Sequence, residues 1–152
     1  MPVKVIFVGN PICGDDGIGP YLYEKLKNYP ELKNYDIMEL GVIGVDLLSY
    51  VNDGDQLIIV DALEAKDNFG DVIVINEDKL LKKINIISQH DFGMEQTITL
   101  LREYKPKITQ INLLGIKVKN VSDFTDKLSD ELLDNITKIK KEVIINIQKL
   151  VK

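Results

Sequence analysis

An almost unbroken apolar run, Gln56-Leu57-Ile58-Ile59-Val60, sets the strictest limit on what this chain can fold into. It lacks the polar alternation of a half-solvated strand, so both of its faces need apolar cover. Strands inside a parallel sheet with helices on either side meet that condition. Val3 to Val8 has the same character, and Tyr35 to Leu40, Asp71 to Ile75 and Gln110 to Val118 complete a set of five expected strands. Val3 to Val8 stops at Gly9-Asn10-Pro11, a strong turn signal.

Helical patterns lie between the strands. Gly17 to Tyr29 carries Ile18, Leu22 and Leu26 on one stripe, and Pro20 is tolerable there only because it falls in the first turn. Val45 to Val51 reads as a short helix ended by Asn52-Asp53-Gly54, and Met94 to Tyr104 as a helix closed by Lys105-Pro106. Ser129 is the expected N-cap of a long helix running to about Val151, while Lys79 to Ile87 fits neither period. Strands alternating with helices imply an α/β fold: a three-layer α/β/α sandwich around a twisted, mostly parallel sheet of about five strands. The 152 residues, 45% of them hydrophobic, suit one domain over 1–152.

Composition removes several functions. No apolar run approaches the roughly 20 residues that span a bilayer, and the N-terminus lacks a secretory pattern, so a cytoplasmic protein is expected. A net charge of −5 gives no general attraction to nucleic acid or anionic lipid, and neither is an expected partner. The lysines from Lys138 to Lys152 alternate with Ile and Val at helical spacing and read as a solvated helix face. The single cysteine, Cys13, excludes an internal disulfide.

Open α/β sheets bind ligands beyond the carboxyl ends of their strands. Asp15 and Asp16 follow the first strand, Asp61 follows the third, and the only histidine, His90, stands just before the Met94 helix. Asp16, Asp61 and His90 can therefore meet in one cleft, where two carboxylates and an imidazole suit a borderline cation such as zinc or nickel. A cation would also relieve the repulsion between clustered carboxylates. Simpler roles stand beside this one. Asp15 and Asp16 suit a helix cap or first turn, worth about 0.5 to 2 kcal/mol. Asp61 can cap the next turn, and His90 can be a cap or a loop residue. A Cys13–His90 hydrolase is opposed by the neighbouring carboxylates, which disfavour a thiolate, and the G-x-G-x-x-G spacing of a dinucleotide site is missing. Gly17 and Gly19 read instead as points of close backbone approach.

Three blocks make a resemblance visible. Val8-Gly9-Asn10-Pro11 with Gly14-Asp15-Asp16-Gly17-Ile18-Gly19, then Leu57-Ile58-Ile59-Val60-Asp61-Ala62, then Ser88-Gln89-His90-Asp91-Phe92-Gly93, resemble the nickel-iron hydrogenase maturation endopeptidases over about residues 3 to 118. The Lys- and Ile-rich composition is similar to the branch that serves deazaflavin-reducing hydrogenases. The resemblance implies an α/β/α sandwich and an endopeptidase that removes a short C-terminal extension from the hydrogenase large-subunit precursor after nickel insertion. It implies that Asp16, Asp61 and His90 contact the nickel already held by that precursor and carry the catalysis. Zinc or cadmium is expected to occupy the same site in vitro, and a monomer suffices. Where many members show Asp-Gly-Gly-Thr and then Gly, this chain reads Glu39-Leu40-Gly41-Val42 with Gly44 retained. That departure bears on precursor specificity and leaves open a non-cleaving, metal-dependent docking or chaperone role for the same precursor.

Overall fold

The computed structural model describes residues 2–41, 45–81 and 91–151. Five strands form one sheet: β1 (Val3–Val8), β2 (Asp36–Leu40), β3 (Gln56–Glu64), β4 (Val72–Asn76) and β5 (Gln110–Val118). Their order is β2-β1-β3-β5-β4. Every pairing is parallel except β4 with β5. The helices are α1 (Ile18–Leu26), α2 (Glu77–Leu81), α3 (Asp91–Tyr104), α4 (Asp130–Asp134) and α5 (Ile136–Val151), with 3₁₀ turns at Gly14–Gly17, Pro30–Leu32 and Val45–Ser49.

The layering follows from the two-residue repeat of the strands. Val5, Phe7, Ile58, Val60, Ala62, Leu114 and Ile116 turn toward α1 and α5, where Leu22, Leu26, Ile139 and Val143 cover them. Their neighbours Ile6, Val8, Leu57, Ile59, Leu63 and Leu113 turn to the other face, where Leu47, Met94, Ile98 and Leu101 close a second core. Both faces of β3 are thus buried, as its continuous apolar run requires. The three-layer α/β/α architecture with a mostly parallel five-stranded sheet is the one expected.

Several boundaries differ for identifiable reasons. β3 continues four residues past Val60, so Asp61 lies inside the strand opposite Gly115 of β5 rather than in the turn after it. Pairing in the middle of the sheet overrides the usual tendency of a charge to end a strand. The expected Gly17 to Tyr29 helix starts as the 3₁₀ turn at Gly14 and keeps α geometry only through Leu26. The long terminal helix is two helices, broken at Asn135 (φ −107°, ψ 10°). Ser129 precedes α4, but its hydroxyl makes no capping hydrogen bond. Of the ambiguous stretch Lys79 to Ile87, residues 79–81 belong to α2 and the rest falls outside the described residues.

Close packing of α1 on the sheet depends on glycine. A Cβ on Gly19 would lie 2.0 Å from the Val8 carbonyl oxygen. Gly9, with φ of +149°, admits no side chain either, because its Cβ would meet the Asp16 carbonyl oxygen at 2.1 Å. These contacts clamp the loop after β1 against the sheet's carboxyl edge.

Candidate active site at the carboxyl edge of the sheet

The chain leaves β1 toward β2 on one side and returns to β3 on the other, so the strand order reverses between β1 and β3. Such a switch point opens a crevice at the carboxyl ends, and ligands of open α/β sheets sit there. The 3₁₀ turn Gly14–Gly17 rests against β3 at this point. Asp15 and Asp16 lie in this turn after β1, and Asp61 lies in the carboxyl-terminal half of β3.

The two adjacent aspartates have different environments. Asp15 is 1% exposed, and its carboxylate is filled by backbone donors. Oδ1 accepts the Ser129 N–H at 2.7 Å, and Oδ2 accepts the N–H groups of Lys119 at 3.2 Å and Asn120 at 3.3 Å. The Asp15 N–H donates to the Asn120 carbonyl at 2.8 Å. Asp15 is therefore a mooring for the 119–129 loop, a role with no local signal because its partners lie more than 100 residues away. A cavity of about 280 Å³ opens between that loop and the turn, lined by Asp15, Asn120, Thr125 and Ser129 among others.

Asp16 is 4% exposed, and among the described residues only one of its oxygens is engaged. Oδ2 accepts the Asn10 N–H at 2.8 Å. Oδ1 is buried and has no hydrogen-bond partner among the described residues. A buried anionic oxygen without a donor costs several kcal/mol in desolvation, and a cation or a donor supplied by a ligand would remove that cost. The donor chemistry of Asp16 therefore fits a metal ion. No helix-capping bond by Asp15 or Asp16 is formed.

Asp61 is 7% exposed. Its strand neighbours Val60 and Ala62 face α1, so Asp61 shares the face of Ile59 and Leu63, the face that α3 covers. Its Oδ1 accepts the N–H of Ala62 at 2.8 Å. α3 runs back along the sheet antiparallel to the parallel strands. At its C-terminal end Lys105 Nζ donates to the Val51 carbonyl at 2.8 Å, and the Thr109 N–H donates to the Asp55 carbonyl at 2.8 Å, both at the amino edge where β3 begins. Its 14 residues span about 21 Å at 1.5 Å per residue, which carries the first turn toward the carboxyl edge. Met94 near that turn is buried in the cluster that holds Val8 and Leu63.

His90, the third sequence-predicted donor, lies outside the described residues and immediately precedes α3. Among the described residues no group of three or more His, Cys, Asp or Glu side chains is placed to hold a metal ion. Cys13 is a free, half-buried cysteine whose backbone forms an isolated parallel bridge with Thr125. Glu39 is opposite Phe7 in the β1–β2 ladder, so it shares the α1 face and not the face of Asp61, and it is exposed. Val42 and Gly44 of the same segment lie outside the described residues.

Comparison with known proteins agrees with this architecture. A family model described as hydrogenase maturation protease matches residues 20–146. The hydrogenase 2 maturation protease of Escherichia coli K12 is 31% identical over 120 residues, covering 75% of this chain and 73% of that protein. A putative hydrogenase maturation protease of Methanocaldococcus jannaschii is 28% identical, covering 90% of this chain and 89% of its own length. The solved structure of the [NiFe] hydrogenase maturation protease HybD from Thermococcus kodakarensis superposes with a TM-score of 0.78 over the whole of both chains at 25% identity.

Proposed function

Because this chain belongs to the hydrogenase maturation protease family, we propose that it is an endopeptidase that removes the C-terminal extension of a nickel-iron hydrogenase large-subunit precursor once nickel is in place. The observation that supports this most is the buried Oδ1 of Asp16 at the β1/β3 switch point, which has no hydrogen-bond partner among the described residues. Asp16, Asp61 and His90 are the proposed recognition set. The nickel arrives as part of the substrate, held by the precursor, and its charge offsets that of the two carboxylates.

The chain's own residues then supply position and proton transfer. The fixed backbone around Asp16, clamped by Gly9 and Gly19, orients the scissile peptide bond. A water adds to the carbonyl carbon, a carboxylate of Asp16 or Asp61 accepts the water's proton, and the C–N bond breaks as that proton passes to the leaving amine. The burial of both carboxylates limits the access of other waters to the crevice.

Incubating the protein with a nickel-loaded, full-length precursor tests the proposal. Loss of the extension, read as a fall in precursor mass, is expected. An unchanged mass with stable association would indicate the non-cleaving docking role instead. No described helix is long and apolar enough to cross a membrane.

A further inference from the structure

We propose that Phe124, with Ile12 alongside, is the apolar anchor on which the precursor docks next to the Asp16 turn; this rests on the reading that a folded hydrogenase precursor is the substrate. Phe124 is 85% exposed, the highest value among the large hydrophobic residues described, and Ile12 is 47% exposed. The parallel bridge between Cys13 and Thr125 brings the backbone at Ile12 next to that at Phe124. One apolar residue on a surface loop is ordinary, but a rigidly held pair beside a candidate active site is not.

The rigidity is visible in the hydrogen bonds. The Thr125 N–H donates to the Ile12 carbonyl at 3.0 Å, and the Gly14 N–H donates to the Thr125 carbonyl at 2.9 Å. On the other side of Phe124, the Asn120 Oδ1 accepts the N–H groups of Ser122 at 2.8 Å and Asp123 at 3.0 Å. The whole loop is moored by the Asp15 carboxylate. The ordering cost of presenting Phe124 is therefore met by the fold before any partner arrives, which is the condition under which an aromatic anchor contributes most to association.

Geometry identifies the occupant. Asp16 follows Cys13 by three residues of a turn that rises about 2 Å per residue, and a β-bridge spans about 5 Å, so the backbone of Phe124 lies within roughly 15 Å of Asp16. A standard interface buries about 800 Å² on each partner, a disc of roughly 16 Å radius. A protein that delivers its metal site to Asp16 with such a footprint extends over Phe124. A short peptide or a small molecule would not.

The test uses full-length, nickel-loaded hydrogenase large-subunit precursor with the wild-type protein, Phe124→Ala and Tyr104→Ala. Tyr104 is a matched control, 64% exposed at the end of α3 on the opposite edge of the sheet. Phe124→Ala is expected to weaken precursor binding tenfold or more and to raise KM by the same factor, with kcat at saturating precursor and the melting temperature unchanged. Tyr104→Ala is expected to match the wild type. Wild-type binding and processing by Phe124→Ala overturns the inference, as does a self-association that Phe124→Ala abolishes while precursor binding stands. If the wild type neither binds nor cleaves the precursor, the functional reading itself fails and takes this inference with it.

Discussion

Replacing each of the two adjacent aspartates by asparagine should move stability in opposite directions. At Asp15 the carboxylate accepts three backbone N–H groups with both oxygens. The amide keeps one acceptor oxygen and turns an NH₂ toward donors on the other side. At least one hydrogen bond to a charged group is lost, about 1.5 to 3 kcal/mol, and a donor is left facing a donor. For a chain of this size about 1 kcal/mol shifts the melting temperature by roughly 2 to 4 °C, so Asp15→Asn should melt on the order of 5 to 10 °C lower. At Asp16 the Asn10 N–H can still be accepted by the remaining oxygen, and the change removes a buried charge whose second oxygen has no described partner. Asp16→Asn should therefore melt at or up to a few degrees above the wild type, since a buried unsatisfied charged group costs at least about 1 to 3 kcal/mol. The same variant should fail to process precursor. Differential scanning fluorimetry and a precursor mass assay on both variants measure the contrast. A large fall in the melting temperature of Asp16→Asn, or unimpaired processing by it, would refute the assignment of an unfilled carboxylate held ready for a cation.

Three further outcomes are expected. His90→Ala should abolish cleavage of nickel-loaded precursor while circular dichroism and melting temperature stay near wild type, because the proposed role is in recognition and not in either core. Gly19→Ala should destabilise by about 3 kcal/mol or more, read by urea unfolding, because a Cβ 2.0 Å from the Val8 carbonyl forces α1 off the sheet. Arg102 donates from Nε and Nη2 to the Glu77 carboxylate at 2.7 and 2.8 Å, joining α3 to α2. Lysine cannot reproduce that fork, so Arg102→Lys should cost about 1 kcal/mol. The Glu77 hydrogen bond raises the arginine's affinity for its proton above the usual value, so on going from neutral to alkaline pH this contribution holds until the arginine range is reached. A loss of the wild-type to Arg102→Lys difference on going from pH 6 to pH 9 would contradict that.

The fold was legible where burial dictates residue type. β1 and β5 have the boundaries expected from their largely apolar runs, because a strand covered on both faces is made mostly of apolar residues. The extension of β3 through Asp61 was not legible: a carboxylate inside a central strand makes sense only when Gly115 of β5 is seen opposite it. The break at Asn135 was hidden because Asn is tolerated inside helices and the apolar stripe continues on both sides of it. At the candidate site, strand order placed Asp16 and Asp61 after neighbouring strands, and the family resemblance singled out Asp16, but residue type alone does not separate Asp15 from Asp16. Their difference comes from the 119–129 loop, whose N–H groups fill one carboxylate and leave the other. The Asn120-Val121-Ser122-Asp123 turn signal was present in that loop, but nothing local tied it to residue 15.

The central claim is that side chains from three separate segments share one cation at the carboxyl edge of the sheet. A crystal of the protein soaked in a cadmium or nickel salt measures this directly through the anomalous signal of the metal. One peak within coordination distance of Asp16 Oδ1, an Asp61 carboxylate oxygen and the His90 imidazole is the expected result. A peak at another place, or a peak at Asp16 that the other two side chains do not reach, would contradict the claim.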